Sequence, residues 1–521
     1  MQLPIALPRV IAALFAGAMF YALSPPMNLH YLHWFAFLPL FWALRRDTPA
    51  DNAALGWLCG FTGVASCFFW LSESIVRFSN VHPFLAFQVA FLFGFGFSLP
   101  YILVFWSVHK LRDRFGLWWV ALLPAVQVAT EFVMGELALF PYYHGVSQYR
   151  FAPTWQLASV TGVTGVTYLI FLVNCALAEI VYRKREGGSF PAVPVAAAAG
   201  LFVANFGYGT WRSARVVEEV ATWPTARMSQ LQLAITMEER MSASARKAMQ
   251  DWVRVTQELR GEELDLLVWP EGATPYDPRQ MRVTDLMAGI AEGMKTPILF
   301  GGGFAERRTN PETGRKYVEQ RNSIYLMNEE GDLVQRYDKM VPLPFGEYIP
   351  LSDTFPFLKD IVQGPGDFER GTEPVFFEGV ATNGEAFSFT TPICYEAILS
   401  RFFRNNLAET DLLVNVTNDG WFGDTAAPHQ HAMLSAVRSV ESGVPMFRIA
   451  YTGISMLVLP NGEFLYETEP FTRVARVVEV PIGRIDTLYM VIGDAFSWLC
   501  LLIALGAAAI TRRVTPDATQ T

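Results

Sequence analysis

Ala386-Phe387-Ser388-Phe389-Thr390-Thr391-Pro392-Ile393-Cys394-Tyr395-Glu396 is the stretch on which the fold of the polar part of this chain turns. The run Ala386–Thr390 predicts a strand, Pro392 follows it, and Cys394 comes just beyond its end. Two upstream segments have the same form. Leu264–Trp269 predicts a buried strand that stops at Pro270-Glu271-Gly272, and Leu333–Asp338 predicts a strand that stops at Lys339. Helices are predicted over Ala243–Leu259, Pro278–Gly293 and Pro428–Ser442, the last with proline at its start and Gly443 just past its end. Further strands are predicted over Gln230–Ile235, Pro297–Gly301, Asn322–Met327 and Asp411–Asn415. Glu329-Glu330-Gly331-Asp332 marks one hairpin, and Pro460-Asn461-Gly462 marks another between Ser455–Leu459 and Glu463–Tyr466. Strand alternating with helix, interrupted by hairpins, is the pattern of an α/β layered domain.

Glu271, Lys339 and Cys394 therefore all sit at strand ends, where a layered scaffold brings distant residues into one pocket. Together they can do acyl chemistry. A thiol attacks as thiolate and needs a base, which a carboxylate supplies when burial raises its affinity for protons. The oxyanion that forms needs donors: an ammonium, and the backbone N–H after the nucleophile, here that of Tyr395. Taken singly, each residue has an ordinary explanation. A Glu or Lys after a strand is usually solvated, and a lone Cys is usually core.

The remainder of the chain is of another kind. Its 521 residues are 52% hydrophobic, 14% aromatic and only 17% charged, against about a quarter charged in soluble proteins. A net charge of −9 argues against a nucleic-acid partner. Apolar stretches near 8–24, 30–44, 53–73, 84–108, 116–136, 158–182, 190–210 and 488–511 predict about eight transmembrane helices, the second and seventh of marginal length. Pro25-Pro26 is a poor cleavage site, so the first reads as an anchor and not a signal peptide. The expected organisation is transmembrane helices 1–7 within residues 1–215, a catalytic domain over 225–485, and helix 8 with a tail over 486–521. Arg45-Arg46, Lys110, Arg112, Arg114, Arg183-Lys184-Arg185 and Arg512-Arg513 all fall on one side, which is the cytoplasmic one. The opposite loops hold only Arg77 and Arg150, and the large domain shares their side. Cys59, Cys67, Cys175 and Cys500 lie in predicted spans, which leaves Cys394 alone in the polar domain. No disulfide framework is possible there.

The three strand-end motifs also carry a resemblance. Trp269-Pro270-Glu271, Tyr337-Asp338-Lys339 and Pro392-Ile393-Cys394-Tyr395-Glu396 resemble, in order and spacing, the three signatures of the carbon–nitrogen hydrolase (nitrilase) superfamily. Leu413–Gly423, which contains Asn418-Asp419-Gly420-Trp421, fits the segment that follows the nucleophile there. Lys339–Pro350 (Lys-Met-Val-Pro-Leu-Pro-Phe-Gly-Glu-Tyr-Ile-Pro) and Pro428-His429-Gln430-His431 are similar to segments of apolipoprotein N-acyltransferases. So is the layout of seven spans, an outward domain and one more span. The resemblance implies a four-layer αββα sandwich, with Glu271 as general base, Cys394 as nucleophile and Lys339 as oxyanion stabiliser. It implies that Glu347 and Glu396 orient Lys339 or assist proton transfer, and that Asn418 and Trp421 line the pocket. It also implies an activity: an sn-1 acyl chain passes from a phospholipid, typically phosphatidylethanolamine, through a Cys394 thioester to the α-amino group of a diacylglyceryl-cysteine on a lipoprotein. No cofactor or metal is implied, and the location is the bacterial inner membrane with the domain in the periplasm. One segment departs from the pattern. Where such proteins commonly read Val-Gln-Gly-Asn-Ile-Pro-Gln, this chain has Leu231-Gln232-Leu233-Ala234-Ile235-Thr236-Met237, so the loop after that strand is expected to meet substrate differently.

Three other readings compete. A membrane-anchored amidase of the same fold would keep Glu271, Lys339 and Cys394 but has no use for so many spans. A transporter with an appended domain would want ionisable residues and paired broken helices in its spans, and the sequence offers few. A Cys–His protease has only His429 and His431 to draw on, and two histidines without a third ligand make a weak metal site too. Within the predicted spans, Glu131 is costly unless paired; it lines a substrate path or is satisfied structurally. Met340–Phe345 and Phe355-Pro356-Phe357-Leu358 either dip into lipid as a lid or pack in the domain. Arg438 and Glu441, three apart on a helix, predict an ion pair.

Overall fold

The computed structural model describes the chain except residues 1–4, 80–81, 138–139, 310–313, 315, 350–351, 353, 356–367, 407–409 and 513–521. The chain forms two compact units. One comprises Met1–Ser72, Pro83–Ala214 and Thr487–Thr521; the other comprises Arg215–Asp486 together with the short segment Glu73–His82.

The larger polar unit is built on strands β1 (Thr225–Gln232), β2 (Leu267–Val268), β3 (Ile298–Thr309), β4 (Lys316–Met327), β5 (Leu333–Asp338), β6 (Phe377–Val380), β7 (Ala386–Thr390), β8 (Leu412–Thr417), β9 (Met446–Ala450), β10 (Met456–Val458), β11 (Phe464–Leu465) and β12 (Val474–Pro481). They form a four-stranded sheet in the order β2-β3-β4-β5, a six-stranded sheet in the order β11-β10-β9-β8-β7-β6, and the antiparallel pair β1-β12. The middle strand β8 explains its own position. Leu412–Thr417 is buried at every residue and runs parallel to both β7 and β9, as a strand covered on both faces must be to read apolar throughout. Helices Ala245–Gln257 and Met281–Met294 cover the four-stranded sheet through a core that includes Val283, Met287, Ala291 and Trp269. Trp252 stacks on Trp269 with ring centroids 5.5 Å apart. Helix Ala427–Ser442 is buried along nearly its whole length and carries the Arg438–Glu441 ion pair at 2.7 Å. These are the elements of a nitrilase-like layered fold. They bring the ends of β2, β5, β7 and β8 together around the residues treated below.

The other unit is helical. Three stretches are long and apolar enough to cross a membrane, Pro83–Glu136, Val163–Arg185 and Ala192–Val220, and a fourth arises if the bent pair Pro49–Cys67 and Trp70–Arg77 is one span. Leu7–Leu23 and Ala495–Thr511 are shorter apolar helices. Pro83–Glu136 is interrupted by a 3-10 turn at Gly116–Trp118, which separates helices Pro83–Phe115 and Trp119–Leu137. The expected span at 30–44 is instead the 3-10 helix His30–Trp34 and the six-residue helix Leu38–Ala43, about 9 Å long and too short to cross. The last expected span is likewise divided at Gly493. Glu131 is satisfied within this unit: it accepts from the His144 backbone at 3.1 Å, Thr167 at 2.8 Å and Gln127 at 3.3 Å. It also lines a cavity of about 50 Å³.

Candidate active site

Glu271 follows β2, Lys339 comes directly after β5 and Cys394 comes four residues after β7. All three line one cavity of about 190 Å³. Glu271 is held by three protein donors. Oε1 accepts from Asn322 Nδ2 at 2.7 Å and from Lys339 Nζ at 3.4 Å, and Oε2 accepts from the Asn418 backbone at 2.8 Å. Lys339 is almost fully buried, at 2% exposure, with Nζ 2.7 Å from Glu347 Oε2. Burial pulls its proton affinity down, but the carboxylates of Glu347 and Glu271 outweigh that and hold it above the ordinary lysine range. The neighbouring carboxylates therefore favour its ammonium form. Asn322 ties the acids together, because the same amide nitrogen also donates to Glu347 Oε1 at 2.7 Å.

Cys394 opens a 3-10 turn, Cys394–Ile398, with φ at +51°. For a residue with a side chain that conformation costs about 1–2 kcal/mol, so the surroundings must impose it. They do so by holding the backbone carbonyls around it. His431 Nε2 lies 3.2 Å from the Cys394 carbonyl oxygen, and Asn415 Nδ2 donates to the Pro392 carbonyl at 2.8 Å. Behind His431, Asp419 Oδ1 lies 2.7 Å from Nδ1, and Arg448 donates to Asp419 Oδ2 at 2.9 Å. Burial raises Asp419, but Arg448 and His431 bring it down to about 2. The thiol itself is buried. Desolvation and the charge of Glu271 push its pKa well up, against the opposing pull of Lys339. Burial thus disfavours the thiolate, and the thiol becomes a nucleophile only as its proton is removed.

Glu396 does a different job from Glu347. It is wholly buried and touches four donors: Tyr337 O–H at 2.9 Å, and the backbone N–H groups of Met340 at 2.7 Å, Val341 at 3.0 Å and Ile393 at 2.8 Å. It therefore pins the turn after Lys339 to the turn before Cys394. Glu347 bends the same loop back by accepting from the Leu343 backbone at 2.6 Å. Met340–Phe345 is thus fastened to the site. Phe345 and Phe355 are exposed, while residues 356–358 of the second apolar segment lie outside the described residues. Tyr395 is buried. Asn418 and Trp421 stand on the cavity wall, Asn418 with its side-chain oxygen turned to the Gly420 backbone at 3.2 Å. Four residues of the site went unread in sequence: Asn322, Arg240, Asp419 and Arg448. Asp419 lies in the quoted Leu413–Gly423 segment but was given no role there, and the other three belong to no motif that single-sequence reading could weigh. His431 faces Asp419 and the nucleophile's carbonyl, whereas His429 is only partly buried. Among the described residues no group of three or more metal-type ligands occurs.

A buried thiol, a carboxylate on the same cavity and an ammonium held by carboxylates are the groups that acyl transfer through a covalent sulfur intermediate requires. The carbon–nitrogen hydrolase profile matches residues 225–489, and the chain belongs to that family. Its residues 16–176 match the apolipoprotein N-acyltransferase N-terminal domain, so the two parts together have the make-up of that acyltransferase. A curated relative from Geobacter metallireducens, an apolipoprotein N-acyltransferase, is 29% identical over 98% of this chain and 96% of its own length. Another of the same name from Agrobacterium fabrum is 29% identical over 88% of this chain and 87% of its own. Among solved structures, an amidase from Nesterenkonia sp. is 17% identical, covering 51% of this chain and 92% of its own, with a TM-score of 0.36.

Proposed function

We propose that this protein is an apolipoprotein N-acyltransferase of the bacterial inner membrane, with its 225–485 domain in the periplasm. Cys394 attacks the sn-1 ester carbonyl of a phospholipid such as phosphatidylethanolamine. Glu271 takes the thiol proton, and Lys339 with the Tyr395 backbone N–H stabilises the negative oxygen of the tetrahedral intermediate. As that intermediate collapses, the ester C–O bond breaks and Glu271 passes the proton to the departing alkoxide. Lysophospholipid leaves, and the acyl chain stays on Cys394 as a thioester. The α-amino group of a diacylglyceryl-cysteine then attacks the thioester. Glu271 accepts the amine's proton, the C–S bond breaks, and the proton goes to the sulfur. Glu347 and Glu396 orient Lys339 and the two loops, and Asn418 and Trp421 wall the pocket. The steps call on no metal or cofactor.

The observation that carries this reading is the common cavity of Glu271, Lys339 and Cys394, reached from three separate strand ends. The helical unit fits the substrates. Each acyl CH₂ holds a lipid in the bilayer by about 0.8 kcal/mol, so an enzyme anchored there meets donor and acceptor without extracting either. Intact-protein mass spectrometry after incubation with phosphatidylethanolamine alone tests the reading. Wild type should gain the mass of a fatty acyl group, while Cys394→Ala and Glu271→Gln should gain none. An adduct on Cys394→Ala, or wild type that hydrolyses small amides yet never carries a fatty acyl group, would replace the transferase with another enzyme of the same fold.

A further inference from the structure

Arg240 stands on the wall of the same cavity as Glu271, Lys339 and Cys394. It comes from the short helix Met237–Ser242, just after the strand whose sequence departs from the acyltransferase pattern. Two contacts fix its guanidinium. Nη2 donates to the Gly272 carbonyl at 2.7 Å, and the group lies 4.5 Å from the centre of the Tyr451 ring. Its Nη1 is buried with no hydrogen-bond partner. The carboxylates around it are engaged elsewhere: Glu238 pairs with Arg77 at 2.7 Å, and Glu271 and Glu347 pair with Lys339. Among the described residues Arg240 makes no ion pair. A buried cationic donor left unsatisfied is costly, and an anion arriving with the substrate would relieve it.

We propose that Arg240 is the anion subsite of this active site and holds the phosphodiester of the acyl-donating phospholipid. The inference rests on the proposed function and deepens it by naming the group that recognises the donor. A planar guanidinium matches a phosphate in two parallel hydrogen bonds. In a phospholipid the three-carbon glycerol unit joins the phosphate to the sn-1 ester. An anion held at Arg240 therefore leaves the ester carbonyl in the part of the cavity that Cys394 lines. The acceptor, an amine on a diacylglyceryl-cysteine, has no phosphate, so Arg240 serves the first half-reaction.

The test compares two acyl donors on the full-length protein in detergent micelles: phosphatidylethanolamine, and p-nitrophenyl palmitate, which carries no phosphate. Thioester formation on Cys394 gives kcat/KM for wild type, Arg240→Met and Arg240→Lys. We expect Arg240→Met to lower the ratio of phospholipid to nitrophenyl-ester kcat/KM by about tenfold or more, chiefly through KM. Arg240→Lys, which keeps the charge but not the fork, should recover part of that ratio and guards against a Met variant that does not fold. Equal losses with both donors in both variants would overturn the proposal and make Arg240 a support for the Glu271 turn. A loss confined to transfer from the preformed thioester to a lipopeptide would overturn it as well. If wild type forms no fatty acyl adduct from phospholipid, the proposed function itself fails; if it does and the ratio is unmoved by Arg240→Met, only the subsite fails.

Discussion

Glu396 shows how much a single buried side chain arranges here. Its two oxygens face four donors, which only a carboxylate can satisfy together. Glutamine would turn an N–H₂ toward backbone N–H groups. Glu396→Gln should therefore destabilise the catalytic unit by about 1–3 kcal/mol and slow thioester formation, read by thermal unfolding and by the rate of acyl adduct growth. Burial raises Glu396 to about 7, against the pull of Lys339 and its hydrogen bonds. At this scale the sequence was readable where candidate residues sat directly at strand ends: Glu271, Lys339 and Cys394 do meet in one cavity. It was unreadable where a role depends on reach across the fold. Asn322 touches Glu271 from 51 residues away, and no local pattern marks that.

Among the elements, β3 teaches the most. Sequence reading ended it at Gly301, because Gly301-Gly302-Gly303 looks like a terminator. The strand instead continues to Thr309, paired along its length with β4. The glycines serve proximity: a Cβ on Gly301 would come within 2.5 Å of the Pro270 carbonyl oxygen and 2.8 Å of Glu271 Cα. The sheet thus needs a bare surface where the turn carrying Glu271 lies on it. Gly301→Ala pushes that turn outward, and a displaced base costs about a hundredfold in rate. Acyl adduct formation should fall that far while circular dichroism stays native; full activity in the variant would show the turn to be free to move. Other elements were missed for related reasons. β9 contains Arg448, which interrupts an apolar run in sequence but is fully buried and satisfied by Asn415, Asp419 and the Ile454 carbonyl. β1 begins at Thr225, several residues before the predicted start, because its register is set by pairing with β12, some 240 residues on. β7 and helix Ala427–Ser442 were clear, since alternation, proline and glycine mark their ends locally.

For the molecule as a whole, the helical unit and the distribution of arginine and lysine predict a definite topology. Gly187→Cys, in the basic stretch after Arg185, should be shielded from a membrane-impermeant maleimide in intact spheroplasts. Asn383→Cys, in the exposed turn between β6 and β7, should label at once. The reverse pattern would invert the orientation and remove the periplasmic assignment. The five native cysteines are all buried and give little background. The same burial has a chemical side. Oxidants such as peroxide attack thiolates, and burial disfavours ionisation of the Cys394 thiol. No second thiol stands among the described residues of its unit to trap it as a disulfide. If the domain lies in the periplasm as proposed, a sulfur kept buried and protonated between turnovers offers such oxidants little to attack.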